Sequence, residues 1–163
     1  MQHDVLLSFD GIYTGLRILH TPGHTPDELA LWDESERMLY VGDTLYEWEP
    51  IIFPTEGDII QWFSTMDYLI SFVRSKEETF KLSPTLSGRQ SVMINSGHCT
   101  SMMPALEVLL EAKAFLQDVI SGKERVKKRI KVGGIESVFF AREDGRFSLR
   151  CPKSLVDDAR QRA

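Results

Sequence analysis

The chain is poor in the residues that staple or anchor a protein. It has two cysteines and four histidines in 163 residues. Cys99 and Cys151 allow one disulfide at most, which excludes a disulfide-framed secreted scaffold. Free thiols in a reducing, intracellular compartment are expected. No apolar run approaches the roughly 18 residues of a membrane helix, so no transmembrane segment is expected. The opening MQHDVLLSFDG lacks the basic flank and apolar core of a secretory signal. There is no internal repeat and no low-complexity linker. No G-x-S-x-G is present, so serine hydrolysis has no support. Positive charge is also in deficit. A net charge of −5 argues against nucleic acid as the main partner.

What remains is ordinary globular composition, 42% hydrophobic and 26% charged, over a length that suits one domain with a real core. The first 43 residues read as β structure. VLLSF and IYTG flank Asp10-Gly11, a two-residue hairpin signal. LRIL leads into the turn Thr21-Pro22-Gly23-His24. LALW and MLYVG flank the polar DESER as a second hairpin, with Asp43 at the end of its second strand. Ile59, Trp62, Phe63, Met66, Leu69, Ile70 and Val73 repeat at helical spacing, so a helix is predicted over 59–75. Asp58 with Gln61 resembles a capping box at its start. A buried strand is predicted at Val92–Ile94, running into Gly97-His98. Pro104 should open a second helix that Gly122 ends, with an inner stripe of Leu106, Leu109, the Lys113 stem, Leu116 and Ile120. The last hairpin turns at Asp144-Gly145. The order implies mixed α/β layers, strands packed on helices.

Three positions share a property. His24 follows Pro-Gly after a strand, Asp43 follows Gly42 at a strand end, and His98 follows Gly97 after a strand. Zinc takes imidazole nitrogen or carboxylate oxygen from ligands converging on one point. Strand ends hold such ligands rigidly, and a neighbouring glycine permits close backbone approach. Each signal is weak singly, since a lone turn histidine is usually just hydrogen-bonded; the three together are much stronger.

TPGHTPDELALW, MLYVGDTLY and NSGHC resemble the third, fourth and fifth metal-binding motifs of the metallo-β-lactamase superfamily. GDTLYEWEPIIFP is most similar to the branch of metallo-β-lactamase-domain-containing protein 2, which is thioesterase-like toward acyl-coenzyme A. The resemblance implies an αββα sandwich with two zinc ions at one edge. By position, His24 would ligate the first ion, Asp43 would bridge both and His98 would ligate the second. The implied substrate is a small-molecule ester or thioester, attacked by metal-bound hydroxide.

The superfamily's H-x-H-x-D-H motif, which supplies four ligands, is missing. His3 and Asp4 are adjacent but lack companions and are read as a frayed end, while His20 is read as structural. Residues 1–163 are therefore expected to form a single, truncated domain, the C-terminal half of the sandwich. Such a chain should bind zinc weakly, and should self-associate through the exposed inner face of an unpartnered sheet. Two functions follow: a metal-dependent thioester hydrolase complete only at full length, or a truncated, degenerate member that is not catalytic and acts by binding or not at all. Residues 122–131, GKERVKKRIK, are read as a solvated helix end, with a coenzyme A phosphate or anionic lipid site as the sharper alternative. Trp48, Ile51, Ile52 and Phe53 are either a loop packed on the core or an apolar wall for an acyl group. Cys99, beside His98, is expected to be a small buried side chain, with recruitment by zinc as the alternative.

Overall fold

A computed structural model describes residues 5–82 and 91–163. His3 and Asp4 lie outside them. The first hairpin forms as predicted: β1 (Val5–Phe9) pairs antiparallel with β2 (Ile12–His20). Asp10 and Gly11 both take positive φ, 49° and 77°, as a primed two-residue turn requires. β3 (Leu29–Asp33) and β4 (Met38–Tyr40) make the second hairpin, β3 pairing with β2. After them come β5 (Pro50–Ile52), α1 (Ile59–Leu82), β6 (Met93–Asn95), β7 (Met103–Pro104) and α2 (Ala105–Ile120). β8 (Lys128–Val132), β9 (Ile135–Ala141), β10 (Ser148–Pro152) and α3 (Lys153–Arg162) complete the order.

The described strands form two sheets. One runs β1-β2-β3-β4-β6-β7; the other runs β5-β10-β9-β8. β4 and β6 are parallel, which the connecting α1 makes possible, and β5 is parallel to β10. Both sheets come from this chain, and one core cluster joins them. Leu19, Trp32 and Leu39 of the first sheet and Phe140 and Leu149 of the second are buried with the inner faces of the helices. The expected unpartnered sheet is thus corrected. Exposed apolar side chains do gather on the first hairpin, at Leu6, Phe9, Ile12 and Tyr13, where β1 is a sheet edge. Among the described residues no helix is long and apolar enough to cross a membrane.

α1 is longer than its apolar repeat predicts. Phe72, Lys76 and Phe80 continue one face past residue 75. Phe72 meets Trp32 edge-on and Phe80 stacks on it, while the Lys76 ammonium lies over both Trp32 and Phe72. The polar-looking KEETFK segment is helical because that face packs on one indole. Asp58 caps α1 by accepting from Gln61 N–H at 2.9 Å. α2 begins after Pro104 and ends at Ser121, with Gly122 at φ 79°, as expected. Its buried face is Ala105, Val108, Leu109, Ala112, Phe115, Leu116, Val119 and Ile120. Leu106 and Lys113 lie at its margin, where Lys113 pairs with Asp67 of α1. The buried face is thus rotated from the predicted stripe, toward Ala105, Val108 and Ala112 and away from Leu106 and Lys113.

The basic stretch is not a helix end. Most of it is loop and the edge strand β8, whose cations protect the open edge. Lys123 pairs with Asp118, Lys127 with Glu124 and Arg129 with Glu136, so much of its charge is locally balanced.

Candidate metal centre

The three candidate ligands come from three turns at one edge of the first sheet. α1 straps two of these turns down. Thr65 donates its hydroxyl to Pro22 O at 2.5 Å, Asp58 N–H donates to Gly23 O at 2.8 Å, and the Trp62 indole N–H donates to Thr44 O at 2.7 Å. Gly23, at φ 137°, lets the His24 turn lie against the α1 backbone; a methyl there would stand 2.5 Å from Trp62 N. The third turn is held by Gly97 N–H donating to Gly42 O at 2.7 Å. A Cβ on Gly97 would fall 2.5 Å from Asp43 Oδ1. The glycines flanking the candidate ligands are therefore needed for close approach, as their placement suggested.

Asp43 lies beyond the end of β4, in the turn rather than on the strand. Its Oδ1 is 3.8 Å from His98 Nε2, and Glu49 Oε2 is 3.7 Å from His98 Nδ1. The Tyr46 ring meets the His98 ring edge-on, with centroids 4.7 Å apart. Burial, a hydrogen bond to Asp43 and the charges of Asp43, Glu28 and Glu49 push the Tyr46 phenol well above its ordinary range. Tyr46 is therefore a neutral donor toward Asp43 at any physiological pH.

Glu28 was not singled out from the sequence, yet it joins the site. Its Oε2 is 3.1 Å from His24 Nδ1, and its Oε1 accepts from Asp43 N–H at 3.2 Å. Gly42 makes room for it, since a Cβ there would lie 2.6 Å from Glu28 Oε1. His24 Nε2 faces Ile52 O at 2.9 Å. Both ring nitrogens thus face acceptors, which suits a doubly protonated imidazole. Burial opposes the charged ring. The Glu28 and Ile52 hydrogen bonds and the charges of Glu28 and Asp43 outweigh it and raise the His24 pKa.

The family model described as the metallo-beta-lactamase superfamily matches residues 4–80. The fold resembles the metallo-beta-lactamase family protein TTHA1429 of Thermus thermophilus, at 18% identity and a TM-score of 0.55, over 79% of this chain and 38% of that one. It also resembles the DIM-1 metallo-beta-lactamase, at 18% identity and 0.50, over 71% of this chain and 46% of that one. The family match covers just under half of this chain, and the structural likenesses show a shared fold. A further relative is avaE of Aspergillus versicolor, which its name marks as a candidate transcription factor. It is 29% identical over 159 residues, 95% of this chain and 44% of that protein. The chain thus spans less than half the length of these relatives.

Superfamily members generally bind metal, often zinc, and His24, Asp43 and His98 are the donors this chain offers for that role. This set does not fit an ion on its own. Among the described residues no three His, Cys, Asp or Glu side chains form a group able to hold one. Both ring nitrogens of His24 are already engaged, by Glu28 and by Ile52 O, and Asp43 with His98 is a pair rather than a set. Cys99 is exposed, not buried, and its thiol is raised by a hydrogen bond to Glu49. His20 is structural as read, its Nε2 3.1 Å from Pro26 O. The apolar cluster after Asp43 divides: Ile51 and Phe53 are core, Ile52 lines a cavity with Val132, Ile135 and Arg150, and Trp48 stands exposed.

Proposed function

We propose that this chain carries part of the active site of a metal-dependent hydrolase of the superfamily. His24, Asp43 and His98 are its share of the ligands, and donors outside this chain supply the rest. The proposed substrate is a thioester such as acyl-coenzyme A. The observation that carries this reading is the convergence of three separate turns. Asp43 stands beside His98 and is tied to His24 through Glu28, with glycines wherever a side chain would part them. The superfamily match and the exposed apolar side chain at Trp48 support the reaction class and an acyl substrate. A non-catalytic role is the second reading, favoured by the occupied nitrogens of His24.

Thiol release from an acyl-coenzyme A, with and without a zinc chelator, tests the proposal. The 163-residue chain alone should show none and should hold little zinc after dialysis. A longer protein supplying an H-x-H-x-D-H segment should show chelator-sensitive release that Asp43→Ala abolishes. Two missing terms of a few kcal/mol each would leave the isolated chain near background, because about 1.4 kcal/mol is tenfold in rate. Chelator-sensitive turnover by the isolated chain, or retained activity in the Asp43→Ala variant, would refute the assignment.

A further inference from the structure

Four non-glycine residues among those described have positive φ: Asp10, Arg37, Trp48 and Met102. Asp10 and Arg37 sit in the connections of the first two hairpins, where such backbones are routine. Trp48 and Met102 have no such excuse. Both are large apolar residues in a conformation that costs them free energy. Both also leave their side chains in water, Trp48 62% exposed and Met102 47%. Burial therefore does not explain the strain.

The surroundings over-determine it. Glu47, next to Trp48, is fully buried; its carboxylate receives the Arg146 guanidinium at 2.8 Å, while its other oxygen, Oε2, is buried without a hydrogen-bond partner. Glu47 N–H donates to Thr100 Oγ1 at 2.7 Å, and Trp48 N–H donates to Arg146 O at 2.7 Å. Thr100 belongs to the turn that carries His98, closed by Ser96 N–H donating to Thr100 O. Met102 lies two residues further, its N–H donating to Asn95 Oδ1 at 2.7 Å. On the other side of Trp48, Glu49 reaches His98. The two strained residues thus flank the His98 turn, and hydrogen bonds, that of Glu47 N–H to Thr100 among them buried, clamp the backbone that holds them out. Strain kept in place by such a framework is a mark of binding sites.

We propose that Trp48 and Met102 are the apolar contacts for the acyl chain of the substrate, pre-set beside the His98 turn and independent of bound metal. This inference rests on the thioester reading above for the identity of the ligand. An indole and a thioether suit an alkyl chain: the ring offers a broad rigid face and methionine adapts to it.

The other two tryptophans, Trp32 and Trp62, are fully buried, so environment-dependent changes in emission report on Trp48. The probe is dodecyl-coenzyme A, a thioether that cannot be hydrolysed, with free coenzyme A as control, both titrated against the 163-residue chain. The dodecyl probe should shift Trp48 emission to the blue and shield it from acrylamide, and coenzyme A should do neither. By calorimetry, Trp48→Gly and Met102→Gly should each weaken dodecyl-coenzyme A at least fivefold. Their unfolding midpoints should hold or rise, because glycine takes positive φ freely and little packing is lost. No blue shift, an equal shift with coenzyme A, a loss under fivefold, or a lowered midpoint would each overturn the inference. Tight binding without hydrolysis by the longer protein would instead count against the proposed reaction alone.

Discussion

Gly23→Ala tests how firmly the His24 turn is seated on α1. The added methyl would lie 2.5 Å from Trp62 N and 2.7 Å from Trp62 Cβ, and close to Trp62 Cα as well. Two of those atoms are helix backbone, so no side-chain rotation relieves the overlap. Restoring an ordinary contact of about 3.5 Å requires turn or helix to retreat by roughly 1 Å. That movement strains the Asp58 N–H to Gly23 O bond and the Thr65 hydroxyl to Pro22 O bond. Overpacking of this kind costs about 1–3 kcal/mol, and a non-glycine backbone at φ 137° adds about 1–2. The sum, about 3 kcal/mol, should lower the melting midpoint by about 6–12 °C for a domain of this length. Gly134→Ala is the control. Its φ is 88° with nothing within 4 Å of the added methyl, so it should lose only the backbone share, about 1–2 kcal/mol. Urea unfolding of both variants, at unchanged m-value, gives the comparison. Equal losses in the two variants, or a Gly23→Ala loss below about 1 kcal/mol, would refute the packing account.

Gly97→Ala should separate site geometry from stability. Its methyl meets the Asp43 carboxylate, which can swing aside, and presses more mildly on Gly42 O at 3.2 Å, so stability should fall by about 1–2 kcal/mol while zinc affinity of the complete protein drops about tenfold or more, read by calorimetry. Asp58→Ala removes the α1 cap and should cost about 1 kcal/mol in urea unfolding at pH 7. Burial opposes ionisation of Asp58, but N–H bonds from Gln61 and Ile60 and the Arg162 pair win and hold its carboxyl below its ordinary value. Its contribution is therefore present above that ordinary value and lost as pH falls through the lower folded one, so parent and variant should converge in strong acid. A disulfide-exchange reagent at pH 8 should titrate one thiol per native chain, Cys99, and two after unfolding. Burial pushes the Cys151 thiol up to about 12 and keeps it unreactive. Two fast thiols in the native chain would contradict the placement of Cys151.

Local signals carried much of the fold. Asp10-Gly11 and Asp144-Gly145 set hairpins because those residues tolerate the turn backbone. Asp58, Pro104 and Gly122 set helix ends for reasons confined to a few residues. The three glycine-flanked positions, His24, Asp43 and His98, were likewise legible, since close approach of backbones leaves a mark on the sequence. What stayed hidden depends on partners distant in the chain. The last two turns of α1 exist because Phe72, Lys76 and Phe80 find Trp32, some forty residues earlier. Glu28 looks like any surface acid until β2, β3 and β4 bring His24 and Asp43 to its two oxygens. Glu47 gives no sign in sequence that it is buried against Arg146, almost a hundred residues away, with Trp48 left strained beside it. Turn chemistry and periodicity are written locally; which charge is buried, and which backbone is held under strain, is decided only when remote segments close on one another.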